Sequence, residues 1–324
     1  MKKNWILKVL IAGILAFLVL NVFSIVYYNV PPRVLDKDNT VEYKWPSNIF
    51  YSRATEGVAW GRTNNEGFNN LDDYYDGKEI NNLFMGSSQA EGFNVSQKEN
   101  AASVMNSICD SYTYNIGISE HALPICVSNL EAAISKYKPT DYVVIETMTV
   151  SFYDEEIEKS LNDEIYLPTY SDGIMGFLQN FKYLKLAYYQ YSNLHQSSAK
   201  SIDSSINNKD TINRLLSKAK DICESHDVRL IIVYHPIIAV NNDGTVTASY
   251  NREDLDIFES ECNKVGITFI NMEDDFVNNY YDNYELPHGF NNTIPGTGHL
   301  NSVGHKLIAY RLKDVMEGIK HDVQ

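Results

Sequence analysis

The chain of 324 residues is short of the residue types on which metal, redox and nucleic-acid chemistry depend. Its four cysteines, Cys109, Cys126, Cys223 and Cys262, show no C-x-x-C spacing, which leaves neither a thiolate metal site nor a redox pair. They are expected as buried free thiols. Positive charge is scarce: 27 Lys and Arg stand against 42 Asp and Glu, and no basic stripe interrupts the resulting net charge of -15. Such a surface repels phosphate backbones, so nucleic acid is excluded as a partner and a neutral or cationic substrate fits better. No repeat of about 20 to 50 residues is present, which excludes a solenoid. His288, His299 and His305 come nearest to a metal motif, but they lack the i, i+4 spacing of a helical site and a carboxylate at a ligand-like offset. No cofactor or metal is expected.

One long apolar run is present. Trp5 to Val26 is interrupted only by Lys8, Gly13, Asn21 and Ser24. At about 1.5 Å per helical residue, some 20 residues cross a hydrocarbon core of ~30 Å. Lys2, Lys3 and Lys8 flank its start and Tyr27-Tyr28-Asn29 its end, which by the positive-inside rule puts the N-terminus in the cytoplasm and the rest outside. A cleaved signal peptide would have a shorter apolar core and a small-residue cleavage site, and none is evident. The expectation is a single-pass anchor in the cell membrane with an extracytoplasmic C-terminal domain.

Three parts follow: a cytoplasmic stub and anchor over 1–29, an extension over 30–78, and a main domain over 79–324. Pro31-Pro32-Arg33 ends the first helix, because proline has no amide donor and clashes with the preceding turn. The extension lacks helical periodicity but carries Tyr43, Trp45, Phe50, Tyr51 and Trp60, too many aromatics for a disordered linker. In the main domain short apolar runs at Asn82–Met85, Tyr112–Ile116, Tyr142–Ile145, Leu230–Tyr234 and Ile267–Ile270 alternate with helical patterns near 97–109, 122–136, 207–225, 252–264 and 301–317. Strands buried on both faces and separated by helices predict an α/β fold: a three-layer, doubly wound, mostly parallel sheet of five strands, flavodoxin-like in plan. An insertion at about 151–200 breaks the rhythm. Its aromatic stripe from Met175 to Tyr191 is expected to pack on the main domain, and Ser197–Ser201 to form a surface loop.

Ligands of such sheets bind beyond the carboxyl ends of the strands. Gly86-Ser87-Ser88-Gln89-Ala90-Glu91-Gly92 occupies that place after the first strand, and Gly298-His299-Leu300-Asn301 lies just before the last helix. A serine hydroxyl is almost un-ionised at neutral pH and needs a base within about 2.6 to 3.2 Å to act as a nucleophile. Ser88 is the candidate nucleophile and His299 its candidate base. Taken alone, Ser88 would read as a helix N-cap.

These residues resemble a known family. Gly86 to Gly92 is similar to the G-D-S-x-x-x-G block of the SGNH (GDSL-like) hydrolases, with Ser87 at their Asp, and Gly298 to His305 is similar to their histidine block. Glu66-Gly67-Phe68-Asn69-Asn70 also resembles a segment found upstream of the serine block in membrane-associated members. The resemblance spans about 60–318 and implies a serine esterase or acyltransferase.

It also shows where this chain departs. The family's acid three residues before the histidine is Gly296 here, so another acid, a backbone carbonyl or a dyad must serve; Glu273-Asp274-Asp275 is a candidate, though such a run is more often a solvated face. In Asn115-Ile116-Gly117-Ile118-Ser119-Glu120-His121 the family's oxyanion glycine falls on Glu120, with Gly117 the alternative and the Ser88 amide the first donor. The family's oxyanion Asn is missing from Ile145-Glu146-Thr147-Met148-Thr149, where Thr147 or Thr149 would have to donate. His235, at the end of a strand, reads as structural with a place lining the same cleft as the alternative, and His121 reads as a helix-start residue rather than a catalytic base.

The resemblance together with the anchor implies an envelope or exported polysaccharide, with acetyl the simplest acyl group, as substrate, and polysaccharide biosynthesis proteins as partners. The rival expectation is a catalytically impaired binding or assembly protein of polysaccharide export. A lipase is less favoured, because no leucine-rich lid is evident.

Overall fold

The computed structural model describes residues 2–30, 33–163 and 207–321. Helix α1 covers Lys2–Tyr27. Within its stretch Trp5–Tyr27 a window of 18 residues has a mean hydropathy of 2.8 and is only 6% buried, so the helix is long and apolar enough to cross a membrane, a property shared with signal sequences.

The chain leaves α1 directly into β1 (Tyr28–Asn29), followed by β2 (Val34–Leu35), β3 (Tyr43–Lys44), β4 (Phe50–Arg53) and β5 (Ala59–Arg62). β1, β4 and β5 form an antiparallel sheet, with Asn29 opposite Ser52 and Ser52 opposite Trp60; β2 pairs with β3. The last carbonyls of a helix have no intrahelical donor. Here the small sheet supplies them: Ser52 Oγ donates to Ile25 O at 2.7 Å, the Ala54 amide to Tyr27 O at 2.8 Å and Trp60 Nε1 to Val26 O at 3.1 Å.

The main domain runs β6 (Asn82–Met85), α2 (Ser88–Glu91), α3 (Ala101–Ile108), β7 (Thr113–Asn115), α4 (Leu123–Ser128), α5 (Leu130–Tyr137), β8 (Tyr142–Thr147) and α6 (Asp154–Leu161). It continues through α7 (Lys209–Ser225), β9 (Arg229–Tyr234), β10 (Ile237–Val240), β11 (Val246–Ser249), α8 (Arg252–Val265), β12 (Thr268–Asn271), α9 (Glu273–Asn283) and α10 (Ser302–His321). Five strands form one parallel sheet in the order β12-β9-β8-β6-β7. Counted along the chain this is 2-1-3-4-5, the flavodoxin-like doubly wound order.

Alternation along each strand builds the three layers. Leu83, Val143, Ile145, Leu230 and Ile232 face a core with α4, α5, α7 and α8, while Phe84, Val144, Ile231 and Val233 face a second core with α3, α9 and α10. Trp45, Tyr51 and Phe68 of the extension belong to the first of these cores. The extension is thus built into the main domain. Asn69 Nδ2 donates to Glu91 O at 2.8 Å, and Asn70 exchanges two hydrogen bonds with the Asn115 backbone. The stripe from Met175 to Tyr191 and the Ser197–Ser201 loop lie outside the described residues.

All four cysteines are free; Cys126, Cys223 and Cys262 are buried and Cys109 is half-buried. Burial pushes the Cys223 thiol up to about 12 and the other two buried thiols higher still.

Candidate active site

The site forms where β6 ends. Gly86 turns the chain at φ +150, where an added Cβ would stand 2.6 Å from Glu146 Oε2. That carboxylate oxygen accepts from the Ser87 amide at 3.0 Å, Ser87 Oγ at 3.1 Å and the Ala90 amide at 3.1 Å, and Glu146 Oε1 sits 2.7 Å from His235 Nε2. Both side chains are buried. A carboxylate from β8 therefore organises the turn. Ser87 is the N-cap of α2, accepting from the Gln89 amide, so the capping role falls on Ser87 and the hydroxyl of Ser88, the first helical residue, is left for other partners.

Ser88 Oγ meets His299 Nε2 at 3.0 Å. The other ring nitrogen, Nδ1, lies 2.6 Å from Glu56 Oε2, and Glu56 Oε1 accepts the His299 amide, also at 2.6 Å. The carboxylate expected near Gly296 or at Glu273-Asp274-Asp275 thus comes from the loop between β4 and β5. Glu273 instead bonds the Tyr250 hydroxyl at 2.8 Å, and Asp275 faces Arg311 at 3.8 Å on α10. Glu56 and His299 are partly exposed, 18% and 26%, so the site is open to a ligand while the pair is held. Burial alone would raise the Glu56 carboxyl, but the hydrogen bond from the His299 ring, its charge and its amide together hold it below the ordinary carboxyl value.

Two loops hold these groups in place. The Glu56 loop is clamped by Asn292, which accepts from the Gly57 amide at 3.0 Å and donates to Ala54 O at 2.9 Å and Gly57 O at 3.1 Å. The His299 loop is closed by an antiparallel bridge of His288 to Leu300 and tied to α2 by the Leu300 amide, which donates to Gln89 Oε1 at 2.7 Å. Gly298 makes the approach possible: at φ +79, an added Cβ would stand 2.1 Å from Glu56 Oε1.

The candidate oxyanion donors divide. The Gly117 amide is committed to Asn115 Oδ1 at 2.8 Å, and Thr147 Oγ1 donates to Thr149 O at 2.6 Å. The Ile118 amide donates to Gly86 O at 3.0 Å, which seats this loop against the serine turn, and the Ser119 amide donates to buried Glu91. Among the described residues of 116–122, only the Glu120 amide has no acceptor. Its φ is +74, and its carboxylate, 73% exposed, pairs with Arg33 at 3.2 Å, so a negative charge that would oppose an oxyanion is compensated. The Ser88 amide likewise has no acceptor among the described residues.

Among the described residues, the buried histidines His121, His235, His288 and His305 stand outside the hydrogen-bonded contacts of Ser88, His299 and Glu56. His121 Nε2 accepts from the Glu42 amide at 3.2 Å and His305 Nδ1 from the Ala101 amide at 3.3 Å. Burial lowers His121 to about 4 and His305 to about 3; for His288, burial and then the neighbouring His235, His305 and His299 lower it to about 2. Sequence reasoning missed Glu56, Glu146, Asn292 and Arg33. The signals present were the glycines beside two of the contacts, Gly57 and Gly298.

No family model and no curated protein matches the chain. Solved structures are similar to it in chain path. They include a member of the lipolytic protein G-D-S-L family from Veillonella parvula, 14% identical over 72% of this chain and 96% of that one at a TM-score of 0.37. A GDSL-like lipase from Bacteroides thetaiotaomicron is 12% identical over 74% and 88% at 0.36, and an acetyl xylan esterase is 12% identical over 72% and 98% at 0.39. At such identities the reading of function rests on the residues of this chain.

Proposed function

We propose that the protein is a membrane-anchored, extracytoplasmic serine esterase or O-acyltransferase acting on O-acyl groups, acetyl the simplest, of cell-envelope or exported polysaccharide. The observation that carries it is the unbroken relay from Glu56 through His299 to Ser88 Oγ. His299 Nε2 takes the hydroxyl proton as Oγ attacks the acyl carbonyl, while Glu56 keeps the other proton on Nδ1 and stabilises the imidazolium that forms. The negative oxygen of the tetrahedral intermediate is met by the Ser88 and Glu120 amides. His299 returns its proton to the leaving alcohol; water or a sugar hydroxyl then releases the acyl group from Ser88.

The polysaccharide and the side of the membrane come from the family resemblance and the N-terminal flanks, and the chemistry comes from the relay. The rival reading, a binding or assembly protein with an impaired site, draws on three altered family positions, at Gly296, Glu120 and the missing oxyanion Asn; Glu56 beside His299 weighs against the first of these, while Thr147 Oγ1, bonded to Thr149 O, does not replace the Asn. The test uses the full chain in detergent with p-nitrophenyl acetate and a fluorophosphonate probe. Turnover and labelling are expected, both lost in Ser88→Ala. Turnover that survives Ser88→Ala, or no labelling anywhere from about pH 6 to 9, would sink the reading.

A further inference from the structure

The hairpin that supplies Glu56 is the same hairpin that caps the apolar helix. The Ala54 amide is bonded to Tyr27 O at 2.8 Å, and Glu56 follows Ala54 by two positions, with only Thr55 between them. At no more than ~3.6 Å per residue, the Glu56 Cα lies within about 14 Å of the Tyr27 Cα. Trp60 Nε1 donates to Val26 O, which lays the indole along the last apolar turn, yet Trp60 is 51% exposed. Val58 and Phe50 of the same hairpin are 59% and 49% exposed, and Val22, Phe23 and Val26 of α1 continue the apolar surface at 63%, 53% and 55%.

Length fixes the depth of this surface. Trp5–Tyr27 is 23 residues, about 34 Å of helix against a hydrocarbon core of ~30 Å. With Trp5 at one boundary, Val26 and Tyr27 fall at the other, and Trp60 is carried to the headgroup level, where an indole with one polar edge is most favourable.

From this we infer that hairpin β4–β5 rests on the lipid surface and that the site takes its acyl ester from the bilayer itself, as a lipid-linked or membrane-embedded acylated glycan. The inference rests on the esterase reading and on α1 as a membrane span. The bond changes are those given above: the acyl carbon leaves its alcohol oxygen for Ser88 Oγ, and the serine proton passes through His299 to that alcohol. The distinctive element is presentation, since a glycan tethered to lipid reaches a site held beside the headgroups without a three-dimensional search.

The test reconstitutes the full chain in phosphatidylcholine vesicles. Val58→Cys carrying an NBD fluorophore is compared with Lys264→Cys, at the end of α8 that leads into edge strand β12, both with Cys109 replaced by serine. Doxyl-labelled lipid is expected to quench position 58 at least about threefold more than position 264. Equal quenching would overturn the inference. So would a position 58 shielded from aqueous iodide but not reached by the lipid quencher, which would mean that a protein covers the hairpin.

Acetate release is then compared for an O-acetylated hexadecyl glucoside in the vesicles and an O-acetylated methyl glucoside in solution. A kcat/KM at least about tenfold higher for the vesicle-borne ester is expected, with Val58→Asp losing the preference while keeping fluorophosphonate labelling of Ser88. Equal rates for the two esters would overturn this inference and leave the esterase reading standing. Loss of both activities together with labelling would remove the esterase reading and this one with it.

Discussion

Glu56 does two jobs with two oxygens, orienting the His299 ring through one and fixing its backbone through the other. Glu56→Gln keeps the shape but presents an amide to Nδ1, favouring the wrong tautomer; kcat for p-nitrophenyl acetate is expected to fall by about a thousandfold or more, as for the carboxylate of serine proteases. Gly298→Ala tests the same contact from the other side, since its methyl would occupy the carboxylate's place. It should approach the Glu56→Gln value while the fold is retained. A Gly298→Ala enzyme with unchanged turnover would show that Glu56 can act from elsewhere. The folded Glu56 carboxyl lies below its ordinary value of 4.5, so its contact with His299 contributes in full above 4.5 and is lost as pH falls through the lowered folded value. Ser88 and His299 were legible in the sequence because each lies in a glycine-bounded loop at a strand end or before a helix. Glu56 was not, because it lies 243 positions from His299 and the neighbouring Gly57 is the one mark in its own segment.

Among elements, the β4–β5 hairpin is the one on which the site depends. Asn292 makes three hydrogen bonds to its tip, and Arg53 donates to Asn94 Oδ1 at 2.6 Å at its base. Removing the Asn292 clamp frees the loop without touching reacting atoms, and displacement by about 1 Å can cost a hundredfold in rate. Asn292→Ala is therefore expected to lower kcat by roughly ten- to a hundredfold with KM little changed, and steady-state kinetics with a thermal melt will check it. Wild-type kcat in this variant would show that the loop holds Glu56 unaided. Strands β6, β8, β9 and β12 were readable to within two residues because buried parallel strands are continuous apolar runs. The β10–β11 hairpin was not, because its residues are mostly exposed and only Asn241-Asn242-Asp243-Gly244 marks the turn. Helix α9 was hidden for the opposite reason. Its Glu273-Asp274-Asp275 reads as a solvated loop, yet acids belong in a first helical turn, and Asn271 Oδ1 accepts the Glu273 amide there at 3.0 Å.

At the scale of the whole molecule, the interior holds neutral imidazoles that water would protonate. His121, His288 and His305 are each at most 4% exposed, and burial lowers them from 6.5 to about 4, 2 and 3. A histidine with a lowered folded value favours the native state above its unfolded value and loses that advantage as pH falls toward the folded one, because only the unfolded chain takes up the proton. The window opens near pH 6.5 and stays open down to about 4 for His121 and lower for the other two. Each group contributes up to about 1.4 kcal/mol per pH unit inside it, so one unit below 6.5 the three together remove about 4 kcal/mol, a large part of an ordinary stability of roughly 5 to 15 kcal/mol. The opposing effect is relief of self-repulsion as the net charge of -15 shrinks toward the pI near 4.9. It is spread over exposed carboxylates screened within about 8 Å at physiological salt and is the weaker of the two. The melting temperature of the full chain in detergent should therefore drop steeply between about pH 7 and 5.5, well above the range where Glu56 takes a proton. A flat profile across that interval would mean that the buried rings accept protons in the native state, and that the packing around them admits water.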